Sequence, residues 1–177
     1  MRFSTFEDAA VGDAATYGHY EVTREEIVEF GRQYDPQPFH TDPEAARDSV
    51  FGELVASGWH TAAATMRLLV DGMLAESGAL GAVGVDELRW PTPVRPGDRL
   101  SVTTEVVGRE PDYRPGVGLV RVRVRTLADA GDDGDAGDDG GGDPVGDTAD
   151  DGGDGRVVLS MVGRVLYPMD DGDEGGD

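Results

Sequence analysis

The chain has 177 residues, with 15 basic against 36 acidic side chains, a formal net charge of -21 and no cysteine. Acidity on that scale argues against a nucleic-acid backbone or an anionic membrane surface as the main partner, and the lack of Cys removes disulfides, thiolate nucleophiles and thiolate metal sites together. No segment approaches the roughly 20 apolar residues of a membrane span, and MRFSTFEDAAVGD at the N-terminus lacks the apolar core of a signal peptide, so the expected compartment is the cytoplasm.

Residues 1–15 read as a lead-in with a turn at Val11-Gly12-Asp13, followed by a short strand from Thr16 to Val22 in which His19 is taken as structural. Thr23 followed by Glu26 is a capping-box signature, and Ile27, Phe30 and Gly31 continue an amphipathic helix as far as Tyr34. Then comes Tyr34-Asp35-Pro36-Gln37-Pro38-Phe39-His40, read as a stiff loop because each proline removes a backbone donor and pushes its predecessor toward extended geometry. Such a loop can aim Asp35 and His40 at one point for proton transfer. A proline-rich connection with an incidental histidine fits the same seven residues. Asp42 before Pro43 caps a second short helix running to about Arg47.

The longest helix is expected from Ser57-Gly58 to about Glu76, with Gly78 as its stop. Ala62, Met66, Leu69 and Met73, widened by Val70 and Leu74, form its predicted apolar stripe, while His60, Ala64, Arg67 and Asp71 take the opposite edge. His60 is read as a helix-face residue with no role. From Leu80 the period becomes two: strands are expected from Ala82 to Trp90, Arg99 to Arg109, Val117 to Leu127 and Arg156 to Tyr167, with a turn-rich bend from Pro91 to Asp98. Arg121, Arg123 and Arg125 line one face of the third of these strands. They could meet ligand phosphates or pair with neighbouring acids such as Glu105. Residues 129–155, with 11 Asp, hold almost nothing apolar and are expected to be a disordered acidic insertion between two strands, and residues 170–177 an acidic tail. Residues 1–169 then form one domain.

YDPQPFH followed by TDPEAA, then LVASGWHTAA, then RWPTPVRPGD resembles the MaoC-like acyl dehydratases, which include the (R)-specific enoyl-CoA hydratases. The resemblance runs from about Val11 to Tyr167, leaving out the acidic insertion. It implies an α+β hot-dog fold, an antiparallel sheet wrapped around one long central helix, and reversible hydration of a trans-2-enoyl-CoA thioester to a 3-hydroxyacyl thioester. By the same resemblance Asp35 and His40 are the catalytic pair, the Gly58 backbone N–H stabilises charge on the thioester oxygen, and Gln37 and Ser57 support the loop. No metal and no cofactor beyond the coenzyme A thioester substrate is implied, and the resemblance implies a homodimer or higher homo-oligomer. Tyr34, Gln37 and Ser57 depart from the usual Gly, Asn and His. Two other functions remain open: an acyl-CoA thioesterase, for which the central helix offers only Asp71 and Glu76, and a non-catalytic acyl-CoA-binding protein.

All 15 basic residues are Arg. Together with the acidic excess, this resembles cytoplasmic proteins of organisms that accumulate salt, such as haloarchaea. At molar salt the Debye length falls to about 3 Å, which screens the self-repulsion of such a surface. Stability and activity are expected to rise with salt into the molar range.

Overall fold

The computed structural model describes residues 1–129 and 155–170. The expectations for the acidic insertion and tail fall on residues 130–154 and 171–177, outside the described residues.

Five antiparallel strands form one sheet. Their spatial order is β1 (Ala14–Glu21), β3 (Arg99–Arg114), β4 (Val117–Asp129), β5 (Arg156–Pro168) and β2 (Gly81–Arg89), so β1 and β2 are the edges. Period-two alternation decides which face is covered. Leu100, Val102 and Val106 of β3 and Val120, Val122 and Val124 of β4 point inward and are buried. The outward arginine row pairs with an acid: Arg123 Nη1 lies 2.7 Å from Glu105 Oε2, on strands held in register by Glu105 opposite Arg123.

The helices follow the caps in the sequence. Thr23 closes the box that starts α1 (Arg24–Tyr34): its hydroxyl accepts from the Glu26 N–H at 3.2 Å, and the Glu26 carboxylate accepts from the Thr23 N–H at 3.0 Å. Asp42 caps α3 (Pro43–Arg47) by accepting from the Glu44 N–H at 2.9 Å. Between them the expected loop is partly helical. Pro38 opens a single turn, α2 (Pro38–Thr41), because at a first helical position its missing N–H costs nothing and its fixed φ suits the helix.

The sheet packs on the central helix α4 (Gly58–Leu69), which continues through a π turn, Val70–Leu74. The helix is rotated from the expected stripe. Leu69 and Met73 are buried as read, but Met66 is 44 % exposed and Val70 also faces outward, while His60, Thr61, Ala64, Thr65 and Leu68 are buried. Threonines can take the sheet side because their hydroxyls are satisfied locally. Thr61 Oγ1 donates to the Ser57 carbonyl at 3.4 Å, Thr65 Oγ1 donates to the Thr61 carbonyl at 2.8 Å, and the Thr126 hydroxyl of β4 meets Thr65 Oγ1 at 2.7 Å. Counting only apolar residues therefore points to the wrong side of this helix. Arg67 and Asp71 pair in the open at 2.7 Å, as their spacing predicts.

Candidate active site

Asp35 is the residue at which α1 ends. Its N–H donates to the Gly31 carbonyl at 2.9 Å, and the chain then leaves the helical region. Two donors hold its carboxylate: the Ser57 hydroxyl reaches Oδ2 at 2.7 Å and the Gln37 amide reaches Oδ1 at 2.8 Å. These bonds, Ser57 first and Gln37 second, hold the acid below its ordinary pKa of 3.8 against the opposing effect of burial, and His40 adds a smaller lowering. Asp35 is therefore a carboxylate at neutral pH. Its side chain remains 21 % exposed, open enough for a ligand to reach.

His40 is buried on α2, and its Nδ1 lies 2.7 Å from the Val55 carbonyl. A carbonyl only accepts, so Nδ1 carries the hydrogen and, in the neutral ring, Nε2 presents a lone pair. Nε2 lies 3.4 Å from Asp35 Oδ2. The Val55 N–H returns a bond to the Phe39 carbonyl at 3.2 Å, so the strand-like segment before α4 clamps α2 from both directions. Gly31 makes the close approach possible. A Cβ there would stand 2.8 Å from the His40 carbonyl oxygen and 3.1 Å from its Cβ, inside normal contact.

The third element is the start of α4. Ser57 is the cap, its hydroxyl accepting from the Trp59 N–H at 3.2 Å while donating to Asp35. The first N–H groups of a helix have no acceptor within it, and the helix dipole makes this end favourable for negative charge. The Gly58 N–H is the first of these. The bend before β3 fixes this end in place, since the Ala56 N–H donates to the Val94 carbonyl at 2.8 Å. Trp90, just after β2, lays its indole over Gly58.

The five residues expected at the site, Asp35, His40, Gln37, Ser57 and Gly58, thus form one connected group. Ser57 joins the acid directly to the helix start, a contact that its place before Gly58 does not reveal. His60, expected on the helix edge opposite the apolar stripe, is instead buried. It is 6 % exposed and stacks on Phe30 of α1, with ring centroids 4.9 Å apart and planes 11° apart. That stack joins the helix ending in Asp35 to the first turn of α4. Burial lowers the His60 pKa, with the Glu26 carboxylate opposing. The sequence reading also missed the Val55 carbonyl, since a backbone acceptor leaves no residue signature, and Trp90. Gly31 did carry a signal, as a glycine inside a helix often marks a close approach. Among the described residues no group of three His, Cys, Asp or Glu is placed to hold a metal ion.

Residues 8–128 match the family described as the MaoC like domain. The 3-hydroxyacyl-thioester dehydratase Z of Mycobacterium tuberculosis is 32 % identical over 133 residues, which cover 72 % of this chain and 85 % of that protein. A solved MaoC-like dehydratase from Rhodospirillum rubrum is 39 % identical with a TM-score of 0.74, covering 93 % of this chain and 97 % of its own. The R-hydratase PhaJ1 of Pseudomonas aeruginosa, at 21 % identity and a TM-score of 0.65 over 93 % of this chain and 86 % of its own, shares the fold. The sheet wrapped on α4 is accordingly a hot-dog fold, and the chain belongs to the MaoC-like dehydratase family, related to the 3-hydroxyacyl-thioester dehydratases.

Proposed function

We propose that the protein hydrates trans-2-enoyl-CoA thioesters reversibly to 3-hydroxyacyl-CoA, with Asp35 and His40 as the catalytic residues. The observation that carries this reading is the pairing of an ionised carboxylate, Asp35, with a histidine whose Nδ1 is committed to Val55, 3.4 Å away and beside a helix N-terminus. Asp35 and the Nε2 lone pair of His40 both accept hydrogen bonds from the attacking water. Asp35 takes a proton as the oxygen bonds to C3, and a proton is returned at C2, so water is added whole and the carboxylate is regenerated. Charge that builds on the thioester oxygen meets the Gly58 N–H and the positive end of α4, a contribution of about 3 kcal/mol for one preorganised donor. Gln37 and Ser57 keep the carboxylate ionised and oriented.

A thioesterase is less well supported. The central helix ends at Leu74, short of the expected Glu76, so the carboxylate such an enzyme would use there is reduced to Asp71, exposed and paired with Arg67, while Glu76 lies past the helix end and pairs with Arg2. The homodimer belongs to the same reading and is supported by edge strand β2, which among the described residues has a strand on one side only and leaves Val83 and Val85 exposed, and by Met66 and Val70 on the outer side of α4. Activity that climbs with salt into the molar range is proposed from the acidic, lysine-free composition. Dialysis to low salt without loss of rate or Tm would remove that part alone.

Crotonyl-CoA tests the reaction. Loss of enoyl absorbance is the expected result, release of free thiol would make the protein a thioesterase, and neither would leave an acyl-binding protein. Asp35→Asn and His40→Ala should each lower the hydration rate at least about a hundredfold. Near-wild-type turnover in either variant would refute the site.

A further inference from the structure

Both tryptophans of the chain stand at the start of α4. Trp59 and Trp90 meet edge to face with ring centroids 5.2 Å apart. A Cβ on Gly58 would lie 2.8 Å from both Cδ2 and Cε2 of Trp90, so the indole rests directly on the Gly58 backbone. Trp90 is nevertheless 40 % exposed and Trp59 60 % exposed. An indole whose only task was packing would be drawn further inside, since its apolar area is large.

The backbone leading to this ring is irregular. β2 slips its register against β5 between Asp86 and Arg89, and within that slip Glu87 has φ 57, a left-handed conformation unusual for a residue with a side chain. Such bulges re-aim the side chains beyond them, and non-glycine residues held there gather at functional sites. Here the chain leaving the bulge carries Trp90 to the first residue of the central helix. By way of Ser57, that residue adjoins Asp35.

We propose that Trp90 is a specificity-determining residue of the site, its indole face forming one wall of a flat slot in front of the Gly58 N–H. The inference rests on the hydration reading above. An enoyl thioester is conjugated from C3 to the carbonyl oxygen and therefore planar, so it can lie against an aromatic face along its reacting length. The 3-hydroxyacyl thioester has tetrahedral carbons at C2 and C3 and cannot lie flat over the same distance. Trp90 thus favours the planar partner of the pair and sets the height of the slot, while edge-on Trp59 limits how far the ring swings.

The test has a kinetic and an optical arm. Trp90→Ala should raise KM for crotonyl-CoA about tenfold with kcat changed much less, and Trp90→Phe, which keeps a flat ring, should stay within about threefold of wild type. The Trp59→Phe protein retains Trp90 as its only indole. Its emission should change on titration with benzoyl-pantetheine, a planar conjugated thioester that cannot be hydrated and carries no adenine ring, over the concentration range in which that compound inhibits hydration. Inhibition without any change in emission would overturn the proposal. So would a Trp90→Ala protein that sediments differently with KM unmoved, since the ring would then serve subunit contact. An emission change in a protein that does not hydrate crotonyl-CoA would keep Trp90 as an acyl wall and overturn only the reaction; absence of both would overturn both.

Discussion

The two ends of the central helix are built from similar residues and do opposite work. At the N-terminal end, Gly58 lies under the face of a tryptophan and Ser57 ties the helix to an ionised acid. At the C-terminal end, Gly72 lies equally tight under an aromatic ring, that of Tyr17, but the π turn around it buries Met73 and has beside it two exposed ion pairs, Arg67–Asp71 and Arg2–Glu76, with Arg2 also donating to the Gly72 carbonyl. A close glycine–aromatic contact is therefore not by itself a sign of function. What separates the ends is the direction of the helix: free N–H groups and positive potential at the start, carbonyls at the finish.

Substitutions at the two glycines should break this symmetry most visibly. Gly58→Ala drives a Cβ to 2.8 Å from Trp90 and displaces the helix start from Asp35, with an expected fall in kcat/KM of about a hundredfold. Gly72→Ala drives a Cβ to 2.5 Å from the Tyr17 ring, an overpacking expected to cost about 1 to 3 kcal/mol. Thermal melts should record that loss while kcat/KM, measured well below Tm, stays at the wild-type value. If Gly72→Ala lowered kcat/KM as much as Gly58→Ala, the distinction between the ends would fail.

Ser57→Ala removes the largest of the interactions that lower the Asp35 pKa. The rate at neutral pH should drop by about tenfold, the cost of one hydrogen bond to a charged group, and the activity contributed by ionised Asp35 should begin to fail at a higher pH than in wild type. A pH–rate profile carried from neutral pH to below 3.8, the ordinary value for the group, reads this directly. The linked stability has the same sign: a depressed carboxylate stabilises the fold above about pH 3.8 and loses that contribution as pH falls through its folded value.

His60 gives a smaller effect on stability of the same sign. Its folded pKa is lowered by burial while the unfolded ring titrates near 6.5, so its contribution is complete above that pH and is lost as pH falls toward the folded value. His60→Phe keeps a ring against Phe30 and should flatten the decline in Tm between pH 7 and pH 5. An identical decline in both proteins would show that His60 titrates alike in the folded and unfolded chains. At the end of the scale, Arg67→Ala removes only an exposed pair and should leave both Tm and rate where they are.

Much of the fold and of the site was legible because local chemistry acts over a few residues. Thr23 with Glu26, Asp42 with Pro43 and Ser57 before Gly58 start helices by satisfying N–H groups within three positions, and the alternation in β3 and β4 admits one buried face. Asp35 and His40 stood out because two prolines restrict the backbone around them. The orientation of α4 was not legible. A tally of apolar residues favours Met66 and Val70, whereas Thr61 and Thr65 are the ones buried, since their hydroxyls find carbonyls one turn back and Thr126 across the interface.

The sequence by itself determined where helices begin, which strand faces turn inward and which acid and histidine are held on a restricted backbone, because each depends on neighbours in the chain. Only the tertiary structure decided that Ser57 bonds Asp35 across 22 positions, that Val55 sets the His40 tautomer, that Gly31 makes room for His40 and that Trp90 covers Gly58. Those contacts join segments brought together by the packing of α1 and the sheet on one helix, and their partners are a hydroxyl, a carbonyl, a missing Cβ and a ring face that mean nothing until the elements meet.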